Sequence, residues 1–217
     1  MSIEKSTIQN LRQDYRSASL DESEVAENPY QQFEKWFQEA LNAQVAEPNA
    51  MTLATTTANC VPSARIVLLK EFTDEGFVFY TNYNSKKGRE IAESPFAALV
   101  FFWPDLERQI RIEGVVETVS EEESDAYFKS RPRGSQLGAL TSPQSEMIPN
   151  RSYLEDKLAK LTEKYKEKDI QRPEHWGGYR VIPNRIEFWQ GRSSRLHDRI
   201  LYVQEKDQSW RFERLAP

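Results

Sequence analysis

MTLATTTANCVPSARIVLLKEFTDEGFVFYTN, Met51–Asn82, is the stretch from which the fold is read. Its apolar residues fall in short β-branched and aromatic runs, MTLATTT, ARIVLLKEF and GFVFYTN, separated by polar, Pro- and Gly-containing turns. Runs of this length and composition read as strands. Further along, FAALVFFW (Phe96–Trp103) and RQIRIEGVVETV (Arg108–Val119) continue the pattern. Five strands so spaced predict an antiparallel barrel. The tail returns to strand patterns in GGYRVIPNRIEFWQ, RILYVQ and SWRFERL. The expected class is mainly β with helices (α+β): a six- or seven-stranded antiparallel barrel with helices packed outside it.

The helices announce themselves by caps and period. In NPYQQFEKWFQEALNAQ, Asn28 is an N-cap, Pro29 takes the first helical position, and Phe33, Trp36, Phe37, Ala40 and Leu41 recur at helical spacing. This predicts an amphipathic helix docked on a core. Ser120 and Glu123 form a capping-box pair ahead of SEEESDAYFKS, and Asn150 caps a longer helix through Leu154, Leu158, Leu161 and Tyr165. There is no internal repeat and no low-complexity linker, so residues 28–217 read as one domain. Residues 1–27 are polar, with SLDESEVAEN in their second half, and are expected to be mobile unless a ligand orders them.

At 217 residues the chain can bury a full core. Its 29 Lys and Arg against 34 Asp and Glu give a formal net charge of -5, which argues against a bulk polyanion such as duplex DNA as the main partner. Any anion site must be local. Cys60 is the only cysteine, so no intrachain disulfide forms, and MSIEKSTIQN lacks a secretory pattern, which points to the cytoplasm. No metal-ligand spacing surrounds Cys60. The longest apolar run has eight residues, far below the roughly 20 that a membrane-crossing helix needs.

Three groups of residues suit chemistry. Glu187–Arg199, EFWQGRSSRLHDR, crowds a tryptophan, three arginines and a histidine into thirteen residues. If the chain is extended from Arg195, then Arg195, His197 and Arg199 share a face, where like charges repel unless an anion or acidic partner lies between them. The residues alone fit equally a planar anionic ligand against Trp189 or a solvated strand with Trp189 in the core. Second, Arg65 and Lys70 bracket IVLL, and Ser85, Lys86 and Lys87 open the helix SKKGREIAES, whose N-terminus favours an anion, although the two lysines taken alone fit a solvated helix start better. Strict alternation puts Arg65 and Lys70 on opposite faces, so one must act at the strand's end. Third, Tyr127, Arg131 and Ser135 follow at i, i+4 spacing, interrupted by Pro132, and fit equally a polar helix end or a site offering two hydroxyls and a guanidinium to a phosphate. No glycine-rich nucleotide loop is present.

EFWQGRSSRLHDR with the closing ERLAP resembles the C-terminal signature of the pyridoxine (pyridoxamine) 5′-phosphate oxidases, flavin enzymes that make pyridoxal 5′-phosphate. ARIVLLK (Ala64–Lys70), FYTN (Phe79–Asn82), LERQIRIEG (Leu106–Gly114), YFKSRPRGSQLGA (Tyr127–Ala139) and HWGGYRV (His175–Val181) follow that family's order. Six ordered blocks are far more specific than one short motif.

The resemblance implies an FMN-binding split barrel and a homodimer with FMN at the subunit interface. By it, Arg65, Ile66, Leu69, Lys70, Tyr80, Thr81, Lys86 and Lys87 line the FMN site, completed by Gln109, Gln144, Ser145, Trp189 and Arg199. Of these, Gln109, Gln144 and Ser145 would come partly from the other subunit. Lys70, Tyr127, Arg131 and Ser135 would hold the substrate's 5′-phosphate. Arg195 and His197 would contact its pyridine ring and carry catalysis, and Arg12 and Tyr15 would close over it as a lid. The implied reaction is oxidation by O2 of pyridoxamine or pyridoxine 5′-phosphate, yielding hydrogen peroxide and, from the amine, ammonia. Two features depart from the family: an acidic run, SLDESEVAEN, stands where a basic cluster is usual, and GRSS at Gly191–Ser194 is variable. The competing readings are a flavin reductase on the same barrel, which needs neither the Tyr127 set nor the Arg195 pair, and a small-barrel binder of single-stranded nucleic acid, which the net acidity disfavours.

Overall fold

The computed structural model describes residues 6, 9–11 and 14–217. Arg12 of the expected lid lies outside them. Five helices and nine strands follow in the order α1 (Pro29–Asn42), β1 (Ala50–Thr56), β2 (Pro62–Leu68), β3 (Glu71–Thr73), β4 (Gly76–Asn82), α2 (Lys86–Glu93), β5 (Phe96–Trp103), β6 (Arg108–Thr118), α3 (Glu121–Ser130), α4 (Arg133–Thr141), α5 (Arg151–Tyr165), β7 (Trp176–Gln190), β8 (Asp198–Gln204) and β9 (Trp210–Arg214) among the described residues. The continuous path of the sheet has seven strands, β2-β1-β5-β6-β7-β4-β3, with β8 paired to β7 and β9 to β8. The expected class, mainly antiparallel β with helices, is the one observed. ARIVLLKEF is divided, because the chain turns at Leu69 and Lys70 before β3.

The chain forms two compact units, each assembled from segments distant in sequence: residues 1–48, 100–112 and 185–217, and residues 49–99 and 113–184. In the first, α1 starts where the sequence caps it, Asn28 Oδ1 accepting from the Tyr30 amide at 2.8 Å. Its spacing buries Phe33, Trp36 and Ala40 on one face. Phe33 meets Phe101 with ring centroids 5.3 Å apart, and Trp36 meets Phe188 edge-on at 5.2 Å. Burying each such ring contributes roughly 1.5–3 kcal/mol, so this aromatic face holds α1 in place. β7, β8 and β9 pair antiparallel beside it, Trp189 opposite Arg199.

In the second unit β1 and β2 form a hairpin whose register sets Leu53 opposite Arg65 and Thr55 opposite Ser63. β4 pairs with β3 and with the first part of β7. The predicted capping box opens α3: Ser120 Oγ accepts from the Glu123 amide at 3.1 Å, and Glu123 Oε2 from the Ser120 amide at 3.0 Å. Phe128, Leu137, Ile170 and Trp176 form a core that ties α3 and α4 to β7, with Leu161 and Tyr165 of α5 against it.

Gly88 lets α2 close on the turn after β4. A Cβ there would lie 2.0 Å from the Tyr83 carbonyl oxygen, a backbone atom that cannot swing aside. Alanine would gain about 1 kcal/mol of helix propensity. The clash outweighs it, and Gly88→Ala is expected to lower stability by about 1–3 kcal/mol net in denaturant unfolding. An unchanged or raised midpoint would contradict the packing described.

Candidate functional site

In the second unit a cavity of about 640 Å³ is lined by Arg65, Lys70, Lys87 and Arg131 together with Ile66, Tyr80, Thr81, Tyr127, Ser135, Gln144 and Trp176. None of its lining residues is acidic. Four cations about one volume repel one another, an arrangement that a bound anion relieves.

Each cation is delivered by a different device. Arg65 comes from β2, which ends the sheet path, so residues of both its faces, Arg65 and Ile66, reach the cavity. Lys70 stands two residues beyond that strand, where its backbone amide donates to the Val78 carbonyl at 2.9 Å. Alternation no longer applies there, which resolves the opposite-face conflict. Lys87 lies in the first turn of α2, whose cap Ser85 accepts from the Gly88 amide at 3.3 Å. Lys87 is buried, and its Nζ donates to Thr81 Oγ1 at 3.2 Å, Ser85 Oγ at 3.3 Å and Gln144 Oε1 at 3.2 Å. All three acceptors are neutral. Burial, then the Arg65 charge, push its ammonium below the ordinary lysine range, and Glu90 partly opposes them.

Arg131 follows α3 in extended conformation, and Pro132 caps α4. The i, i+4 helix is therefore broken, as Pro132 requires, yet Tyr127, Arg131 and Ser135 still line one cavity. Tyr80, Tyr127 and Trp176 stack nearly parallel, Tyr80 and Tyr127 with centroids 3.9 Å apart. The Arg131 guanidinium sits 4.5 Å over the Trp176 ring. Its Nη1 is buried and has no hydrogen-bond partner among the described residues. Burial lowers its affinity for the proton. A desolvated guanidinium with an unused donor fits a phosphate oxygen.

Other expected members stand apart from this lining. Leu69 is buried, Lys86 is exposed and pairs with Glu90 at 3.7 Å, and Ser145 is exposed with φ 71°. Gln144, which the resemblance assigned partly to a second subunit, lines its own chain's cavity and accepts from Thr81 Oγ1 at 3.0 Å.

In the first unit Tyr15, Arg195 and His197 line a second cavity, of about 540 Å³, with Leu11, Asp14, Arg192 and Ser194. Arg195, His197 and Arg199 do not share an extended face. Ser193–Arg195 form a 3-10 turn, Ser194 and Arg195 have φ of 57° and 62°, and β8 begins only at Asp198. Arg199 instead meets the buried Glu187 bidentately, Nε to Oε1 at 2.9 Å and Nη2 to Oε2 at 3.0 Å. That hydrogen-bonded pair raises its pKa further. His197 Nδ1 accepts from the Arg192 amide at 3.0 Å, which leaves its Nε2 to carry the hydrogen of the neutral ring. Its ring centroid is 4.7 Å from that of Trp189, and Tyr15 is edge-on to Trp189 at 5.8 Å. Gly191 makes room for Tyr15, since a Cβ there would lie 2.7 Å from the phenol's Cγ. Gln109, on β6, is half-buried.

Residues 37–165 match the family model described as pyridoxamine 5′-phosphate oxidase, and residues 176–217 match the pyridoxine 5′-phosphate oxidase C-terminal dimerisation region. The chain belongs to the pyridoxamine 5′-phosphate oxidase family. It is 60% identical over 211 residues to the pyridoxine/pyridoxamine 5′-phosphate oxidase of Trichormus variabilis, covering 97% of this chain and 99% of the relative. It is 54% identical over 210 residues to that of Leptospira interrogans, covering 97% and 98%. Among solved structures, PhzG from Burkholderia lata, in complex with tetrahydrophenazine-1-carboxylic acid, superposes with a TM-score of 0.85 at 30% identity, over 90% of this chain and 95% of that one. A pyridoxamine 5′-phosphate oxidase-related, FMN-binding protein from Nostoc punctiforme shares the fold at a TM-score of 0.70 and 18% identity, over 89% and 100%. The fold is thus the split barrel of this oxidoreductase family, and the C-terminal match supports a homodimer. No helix among the described residues is long and apolar enough to cross a membrane.

Sequence reading missed Glu90, Ser63 and Thr55 around Arg65, and Glu187 beneath Arg199. Trp176 lies within HWGGYRV, and nothing local marks it as the ring beneath Arg131. The cross-strand register could have exposed Thr55 and Ser63; nothing local marked Glu187 as the partner of Arg199.

The lowered pKa of Lys87 has a measurable consequence. Sulfate keeps its charge from pH 6 to 10, so its protection against thermal unfolding should fall as pH rises, and do so below the ordinary lysine range. Lys87→Met is expected to weaken sulfate binding about tenfold at pH 7 and to remove that pH dependence. Equal protection in both proteins would place the anion elsewhere.

Proposed function

We propose that the chain is a homodimeric, cytoplasmic, FMN-dependent oxidase of pyridoxamine 5′-phosphate and pyridoxine 5′-phosphate. The observation that carries this reading is the acid-free cavity of the second unit, where Arg131 lies beside an aromatic stack with an Nη1 that has no hydrogen-bond partner among the described residues. The names of the relatives support the substrates. Arg65, Lys87, Thr81, Tyr80, Ile66 and Gln144 would hold the FMN phosphate and ribityl chain, Lys86 adding long-range charge and Leu69 packing behind them. Gln109, Ser145, Trp189 and Arg199 would complete the site across the subunit interface. Lys70, Tyr127, Arg131 and Ser135 would take the substrate's phosphate.

FMN held by these residues would supply the acceptor for the hydride equivalent that the substrate's exocyclic carbon must lose. The protein's share is to bind, aim and shield. Arg195 and His197 would face the pyridine ring, Arg195 stabilising negative charge on it. His197, with Nδ1 committed to the Arg192 amide, would donate through Nε2. Tyr15, seated on Gly191, and Arg12 would exclude water over the substrate. For the amine, substrate, O2 and water give aldehyde, ammonia and hydrogen peroxide. For the alcohol, substrate and O2 give aldehyde and peroxide.

The test is aerobic turnover of pyridoxamine 5′-phosphate by FMN-reconstituted protein, following aldehyde and peroxide together, with unphosphorylated pyridoxamine as comparison. Phosphate-dependent formation of both is expected. Flavin binding without either product would favour a reductase on the same barrel. Arg195→Ala and His197→Ala should each lower kcat/KM roughly 10²-fold or more while FMN stays bound. Full activity in either variant would remove that residue's role.

A further inference from the structure

Glu90 lies in α2 one turn beyond Lys86 and is 3% exposed. A carboxylate is taken so far from water only where donors replace its hydration. Three converge on its Oε2: Thr55 Oγ1 at 2.6 Å, Ser63 Oγ at 2.6 Å and Arg65 Nη2 at 3.0 Å. The two hydroxyls also accept from the same guanidinium, Thr55 from Nη1 and Ser63 from Nη2, and Nη1 donates to the Leu53 carbonyl at 3.3 Å. The hairpin register sets Thr55 and Ser63 opposite each other, so the cradle is built from one face of two strands and the side of one helix. Burial pushes the Glu90 carboxyl up, but the bonds from Ser63, Thr55 and Arg65 outweigh it and hold it down at about 2.

We propose that Glu90 is a positioning residue for the phosphate-binding cations: its carboxylate fixes the Arg65 guanidinium at the cavity wall and offsets the repulsion between Arg65 and Lys87. This rests on the FMN-site reading above. Glu90 does not line the cavity, so it acts through its neighbours. The charged groups acting on Lys87 are Arg65 from β2 and Glu90 from its own helix; Thr81, Ser85 and Gln144 are neutral. Lys70 and Arg131 line the same cavity and are cationic. Neutralising Glu90 therefore removes the one acidic group acting on Lys87, and Lys87 gives up its proton more readily.

The experiment measures FMN affinity of the apoprotein by quenching of flavin fluorescence, from pH 7 to 9.5, for wild type, Glu90→Gln, Glu90→Asp and Ser63→Ala. Glu90→Gln is expected to bind FMN about tenfold more weakly at pH 7, the loss of one charge-assisted contact. Its affinity should also fall with rising pH at lower values than in the wild type. Ser63→Ala, which removes a hydroxyl but no charge, should keep the wild-type pH profile. Glu90→Asp should keep that profile with weakened affinity, and it decides the question if Glu90→Gln fails to fold. A Glu90→Gln protein that is folded yet shows the wild-type profile, or a Glu90→Asp protein with wild-type affinity, overturns the role of Glu90 alone. Wild-type protein that binds no FMN overturns the site reading, and the inference with it.

Discussion

Like charges gathered around one cavity are the constraint on which this structure turns. Arg65, Lys70, Lys87 and Arg131 line one cavity that contains no carboxylate. Left to themselves these groups would move apart into solvent, and three of the four, Arg65, Lys87 and Arg131, are restrained from behind. A strand at the end of the sheet path holds Arg65, the Glu90 cradle fixes its guanidinium, the neutral acceptors Thr81, Ser85 and Gln144 hold Lys87, and the Trp176 ring supports Arg131. Lys87 and Arg131 are held by neutral acceptors and an aromatic face, with no carboxylate bonded to either among the described residues. Lowered pKa directions at both Lys87 and Arg131 are the mark of that arrangement, since burial without a counter-ion disfavours the charged form.

Arg199 shows the opposite solution. Glu187 takes it bidentately and also accepts from Arg111 at 3.2 Å, so its charge is largely answered within the first unit. Such an arginine can orient a ligand while contributing less net attraction than Arg131, whose Nη1 has no partner among the described residues. Two arginines of equal standing in the sequence thus differ in what they can do. The difference lies in the residue behind them.

Much of this was legible from sequence because it depends on neighbours in the chain. Asn28, Ser85, Ser120 and Asn150 all cap the helices they precede, and the strand runs fold as strands. Lys70 and Arg65 could be named, and one of them set at the strand's end, but which one required knowing that β2 stops at Leu68. Glu90 was invisible for a related reason. Its partners Thr55, Ser63 and Arg65 lie 25 to 35 residues away, and only hairpin register brings them to one face. At Arg195 local reasoning misled: alternation presumes extended backbone, and two successive left-handed residues break it. Family resemblance named Arg195 and His197 nonetheless, because six ordered blocks carry information that periodicity lacks.

The central claim is that the cavity of the second unit recognises the phosphate of a flavin nucleotide. Comparing the affinities of the apoprotein for FMN and for riboflavin, which differ only by that phosphate, tests it most directly. The account predicts that FMN binds at least about a hundredfold more tightly, because several charge-assisted bonds are lost together. Equal affinities would contradict it, since the cations would then be holding something other than flavin phosphate.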